Sequence, residues 1–90
     1  MTDALLDSAF DAGINVFDVG HRAYYRNAET NLAPFLKRRR DQIFLISKGL
    51  TGLELEPGSE VTPAQARQGA GTWRKHLDES LSDLGVDRVD

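Results

Sequence analysis

Two charged residues stand at the ends of short apolar runs. Ile14-Asn15-Val16-Phe17 leads into Asp18, and Ile43-Phe44-Leu45-Ile46-Ser47 leads into Lys48. They are 30 residues apart, the length of one strand–helix–strand unit. Neighbouring parallel strands run roughly 4.8 Å apart, so an acid and a base at their C-terminal ends would meet. That is the face where α/β folds place their chemistry. Between the two lie Tyr24 and Tyr25. Asp, Lys and Tyr converging on one strand-end face make a proton-transfer arrangement. An ordinary ion pair capping two strands is the other reading these residue types allow.

The elements that must position them can be read along the chain. Thr2 or Asp3 can cap a first helix with Leu5, Leu6, Ala9 and Phe10 on one side. Gly13 supplies a left-handed stop, with Ile14 as the apolar contact behind it. A short buried strand follows over Ile14 to Phe17. Gly20 to Arg26 reads as a polar loop with aromatic content. Asn27 caps a second helix carrying Ala28, Leu32, Phe35 and Leu36, which Pro34 should kink or end locally. Lys37-Arg38-Arg39-Arg40 suits the negative end of that helix and reads as a solvated terminus.

Ile43 to Ile46 is a continuous apolar run, as in a strand covered on both faces. Gly49 to Glu60 is a Gly-, Glu- and Pro-containing loop, with Glu54, Glu56 and Glu60 too loosely placed to argue for a metal. Thr62-Pro63-Ala64-Gln65 predicts a capped helix start. Ala66, Ala70, Trp73, Leu77, Leu81 and Leu84 form its stripe, with Trp73 as core. Gly85 stops the helix, and Val89-Asp90 opens another strand. His21 is expected at the surface and His76 on the exposed flank of this helix. Alternating helices and strands imply a parallel sheet with helices outside it, and residues 1–90 read as one partial domain.

Composition narrows the class. Hydrophobic residues make up 40% of the 90 and charged residues 28%, which fits a globular chain. The net charge of −3 argues against nucleic-acid and anionic-membrane partners. There is no cysteine, hence no disulfide framework or thiolate chemistry, and a reducing cytoplasm is compatible. No apolar run approaches the roughly 18 residues a membrane span needs. Two or three parallel strands would leave bare edges, so the 90 residues are expected to be an internal piece of a larger fold and unstable in isolation.

Three segments carry a family likeness. Ala12-Gly13-Ile14-Asn15-Val16-Phe17-Asp18 resembles the aldo/keto reductase segment where a helix ends in a Gly-Ile-Asn turn and enters the second barrel strand. Arg40-Asp41-Gln42-Ile43-Phe44-Leu45-Ile46-Ser47-Lys48 is similar to that family's third strand and its lysine. Leu77 to Asp90 is similar to the helix and turn before the fourth strand. The resemblance implies a partial (β/α)8 TIM-type barrel, a nicotinamide cofactor (NADPH or NADH), a small carbonyl substrate and reversible reduction of carbonyl to alcohol. It also implies roles for Asp18 and Lys48, with Asp18 near the nicotinamide. The family usually places its tyrosine five residues after the aspartate, which here is Ala23. Counting back from Glu29 selects Tyr24 with one inserted loop residue, and Tyr25 is the alternative. The family's histidine would follow the fourth strand, beyond Asp90.

The chemistry supports those roles. Hydride delivery to a carbonyl builds negative charge on oxygen, so an acid must donate a proton. An unperturbed tyrosine, with a pKa of about 10, is a weak acid for this task. A nearby ammonium makes it stronger, and an aspartate would hold that ammonium in place. The hydride must come from a cofactor. No Gly-x-Gly-x-x-Gly or P-loop is present. The 90-residue piece alone is expected to be inactive. A non-catalytic binding or regulatory barrel is the alternative function.

Overall fold

A computed structural model describes residues 3–90. The elements run α1 Asp3–Asp11, β1 Val16–Asp18, α2 Arg22–Tyr25, α3 Ala28–Arg39, β2 Phe44–Ile46 and α4 Pro63–Leu84, with a 3₁₀ turn at Arg40–Gln42. The N-terminal cap expected at Thr2 lies outside the described residues. Gly13 takes a φ of 102°, and the Ile14 N–H returns to the Ala9 carbonyl at 3.1 Å, closing α1 as the Gly-Ile pair predicts.

β1 and β2 pair in parallel, with Val16 opposite Phe44, Phe17 opposite Leu45 and Asp18 opposite Ile46. Bonds from Phe44 to Asn15, Val19 to Ile46 and His21 to Lys48 extend the pairing beyond both strands. Strand alternation then divides the residues. Val19, Ile43 and Leu45 are buried against the helices. Val16 and Phe44 stand about half exposed on the opposite face. The helices all pack on one side, so the apolar run at 43–46 is buried only at its odd positions.

Phe35, Leu36, Leu45 and Leu84 are fully buried and join α3, β2 and α4, with Leu6 and Leu32 extending the core to α1. Burying each such side chain contributes roughly 1.5–3 kcal/mol. Phe35 meets Phe10 edge-on at 6.2 Å and Phe17 at 5.0 Å. Pro34 lies inside α3 without ending it. The helix forgoes one donor there and continues because Leu32, Phe35 and Leu36 hold it on the core. Asn27 occupies the cap position but makes no side-chain capping bond.

The basic end of α3 is not simply solvated. Arg38 pairs with Asp7 at 3.0 Å, and the Arg39 guanidinium lies 4.6 Å from the Phe10 ring centre. Arg40 donates to the Arg88 carbonyl and to Asp90. The Asp90 carboxylate accepts from the Leu45 N–H, while the Asp90 N–H donates to the Leu45 carbonyl. Val89-Asp90 therefore lies alongside β2 as expected, although it forms no strand. The Leu45 N–H, helped by Arg40, holds the Asp90 carboxyl below its ordinary value.

α4 begins and ends as its sequence predicts. Thr62 and Gln65 exchange capping bonds, and Gly85 closes the helix at φ 69°. Its inner face differs from the apolar stripe. Gly69, Ser80 and Leu84 are the buried positions, whereas Trp73 is 47% exposed. Trp73 and Leu77 flank an open cavity of about 350 Å³ instead of the core. Polar anchors lie on the inward face: His76, Glu79 and Asp83 all bind the chain between Gly20 and Leu50.

Candidate active site

The site is built on the strand ends. Asp18 pairs with Ile46, and Lys48 lies two residues further along the second chain segment. Alternation puts all three on the same face. The four-carbon stem of lysine spans the two-residue offset, so the Lys48 ammonium donates to the Asp18 carboxylate. It also donates to the Val19 carbonyl at 2.7 Å. The two residues 30 apart in sequence therefore meet as the strand–helix–strand spacing requires.

The tyrosines separate. Tyr25 places its ring centre 4.7 Å from the Lys48 ammonium. Tyr24 is 59% exposed and is not among the hydrogen-bond or ring partners of Lys48. The reason is local. Gly20 to Arg26 is not a plain loop, because Arg22–Tyr25 forms a turn of helix capped by His21. Consecutive residues on a helical turn point about 100° apart, so only one tyrosine can face the strand ends. Gly20 makes room for it: a Cβ there would lie 2.3 Å from Cδ1 of Tyr25. The cluster is thus Asp18, Lys48 and Tyr25, the alternative tyrosine of the sequence reading.

Its electrostatics follow. The Asp18 carboxylate raises the Lys48 pKa above the ordinary 10.5 against the opposing loss from desolvation, with the Tyr25 phenol adding a lesser push upward. Lys48 is a fixed cation at neutral pH. The side chains of Asp18 and Lys48 retain 56% and 43% of their exposure, so the pair is open to a ligand.

Two buried groups were not foreseen. His21 is only 4% exposed and His76 is half-buried, which corrects both surface placements. Their rings stack at 3.8 Å with planes 8° apart. His21 Nδ1 accepts from the Ala23 N–H and Nε2 faces Glu79 at 3.2 Å, while His76 Nδ1 accepts from the Leu50 N–H. The signal lay in α4, where His76 and Glu79 are three residues apart and share a helix face. His21, His76 and Glu79 carry metal-ligand atoms within 4.8 Å of one another. Yet each Nδ1 spends its lone pair on a backbone N–H, so each neutral ring carries its proton on Nε2. Parallel stacked rings also direct their in-plane lone pairs side by side. The trio is a hydrogen-bonded clip between the post-β1 loop, the post-β2 loop and α4.

Glu29 is the second surprise. It is fully buried at the start of α3 and accepts a 2.6 Å bond from the Ser47 hydroxyl.

Comparison with known proteins agrees with this fold. The family model described as "Aldo/keto reductase family" matches residues 2–90. A solved structure of a Pseudomonas aeruginosa protein assigned as an aldo-keto reductase superposes with a TM-score of 0.69 at 29% identity, covering 98% of this chain and 32% of that one. A second Pseudomonas aeruginosa structure with the same assignment gives 0.68 at 29% identity, covering 98% and 31%. No curated protein matches. The chain thus spans about one third of the length of these solved structures. Its parallel strands and outer helices form part of a (β/α)8 barrel, as the sequence implied, and the 89 residues matched by the family model show that the chain belongs to the aldo/keto reductase family.

Proposed function

We propose that this chain carries the proton-transfer part of an NAD(P)H-dependent carbonyl reductase site. The observation behind this reading is the joining of Asp18, Lys48 and Tyr25 at the C-terminal ends of adjacent parallel strands. Enzymes of barrel architecture work at that face. A nicotinamide cofactor, when bound, supplies the hydride that no side chain can provide. The residues suit such a group, because only Oδ1 of Asp18 is engaged by Lys48 and the carboxylate stays open to hydroxyl or amide donors.

In this reading Tyr25 donates its hydroxyl proton to the oxygen of a small carbonyl substrate. Lys48 holds positive charge beside the phenolate left behind, which lowers the cost of that step. Asp18 and the Val19 carbonyl orient the ammonium. In the reverse direction the phenolate takes the proton from the alcohol. The 90 residues alone do not turn over substrate, because most of the barrel lies in the part of its relatives that they do not span.

The test is NADPH binding by nicotinamide fluorescence, on the 90-residue chain and on a chain completed to a full barrel. Binding and carbonyl reduction by the complete barrel alone are expected. Absence of binding by both would favour a non-catalytic family barrel and remove the roles given to Asp18, Lys48 and Tyr25.

A further inference from the structure

The proton-transfer reading leaves one buried titratable group without a task. Glu29 has no exposed surface, one of its carboxylate oxygens accepts from Ser47, and the other has no partner among the described residues. A carboxylate in such a place is costly, and an apolar residue would fill the space more cheaply. The first turn of α3 and the field of Arg22 offset part of that cost. Packing therefore gives no reason for an acid here.

Position gives one. Ser47 immediately precedes Lys48 and lies past the last paired residue of β2. It belongs to the odd-numbered face of the strand, turned toward the helices, while Lys48 is turned the other way. A bond on the Ser47 side chain consequently fixes the backbone from which Lys48 projects. Glu29 lies in the first turn of α3, four residues after Tyr25. The 2.6 Å bond joins the chain beside the lysine to the chain beside the tyrosine, from beneath the face where the two meet.

We propose that Glu29 and Ser47 are positioning residues that set the Lys48–Tyr25 distance for proton transfer. This rests on the reductase reading for its effect on turnover, though the geometric part stands without it. Errors of about 1 Å in such an arrangement can cost about 100-fold in rate.

The experiment uses the full-length protein with NADPH. Ser47→Ala, Ser47→Thr and Glu29→Gln are compared for kcat, KM, cofactor affinity and the pH at which Lys48 loses its proton, read by competitive acetylation. Ser47→Ala is expected to lower kcat roughly 10- to 100-fold with cofactor affinity unchanged, and to bring the Lys48 titration down toward that of an ordinary lysine. Ser47→Thr keeps the hydroxyl and is expected to restore both. If Glu29→Gln fails to fold, the serine pair still decides. Unmoved kcat and Lys48 titration in Ser47→Ala, with only a lower melting temperature, would overturn the proposal. Lys48→Met and Tyr25→Phe separate this failure from failure of the reductase reading. If both retain full turnover the reading is wrong, and the Lys48 titration alone then decides whether Glu29 and Ser47 position the lysine.

Discussion

The ammonium of Lys48 lies 4.7 Å from the centre of the Tyr25 ring while bonded to Asp18 on the neighbouring strand. Lys48 thereby joins a strand pair fixed by backbone hydrogen bonds to a helical turn fixed by a histidine cap. The relationship places one of two adjacent tyrosines at the strand ends and leaves the other exposed.

Tyr25→Phe in the full-length protein should lower kcat about 10²- to 10⁴-fold, the usual worth of a positioned general acid. Tyr24→Phe should leave kcat within about twofold, since Tyr24 faces solvent. Steady-state reduction of a small aldehyde with NADPH decides between them. Equal losses in the two variants would refute the assignment.

Lys48 titrates above 10.5, chiefly because Asp18 favours its charged form. A raised cationic pKa contributes stability that is complete below the unfolded value and lost as pH rises through the folded one. Asp18→Asn should therefore move the Lys48 titration down and make unfolding less sensitive to pH above about 10. Competitive acetylation and urea unfolding between about pH 8 and 12 check the two parts.

Asp90 behaves in the opposite sense. The Leu45 N–H, with Arg40 behind it, favours its ionised form. A depressed carboxyl pKa contributes stability that is present above the unfolded value, about 3.9, and lost as pH falls through the folded one. Asp90→Ala should be less stable than the parent at neutral pH, and the difference should vanish in strong acid. Urea midpoints measured from neutral pH down to about pH 2 test this, and a gap that widens on acidification would contradict it.

Arg26 holds φ 52° and ψ −115°, and it is the only non-glycine residue with positive φ among the described residues. A Cβ is strained there, so Arg26→Gly should stabilise the protein by about 1 kcal/mol after the entropy cost of glycine. A lower denaturant midpoint in that variant would show that Arg26 gains more from its contacts than its backbone loses.

Local chemistry made much of the fold legible. Gly13 and Gly85 sit where left-handed turns are needed, and Thr62 with Gln65 forms a capping box; the atoms responsible are within five residues of one another. The meeting of Asp18 and Lys48 was legible for a related reason: parallel pairing turns a 30-residue separation into adjacency. The family likeness rested on short segments of this kind.

Other features depended on contacts between distant segments. Spacing counted back from Glu29 selects Tyr24, but the helical turn capped by His21, together with the missing Cβ of Gly20, brings Tyr25 to Lys48 instead. Trp73 and Leu77 lie on a helical stripe, but they line an open cavity while His76, Glu79 and Asp83 on the adjacent face bind distant segments. Glu29 reads as an ordinary acid opening a helix until Ser47, 18 residues later, is brought against it. By itself the sequence determined the helices α1, α3 and α4, the strands β1 and β2, their order and the strand-end acid–base pair, because these rest on local propensity and strand periodicity. Tertiary structure decided which tyrosine joins the pair, which helix face turns inward and which carboxylate is buried, because those outcomes depend on what distant segments place beside each residue.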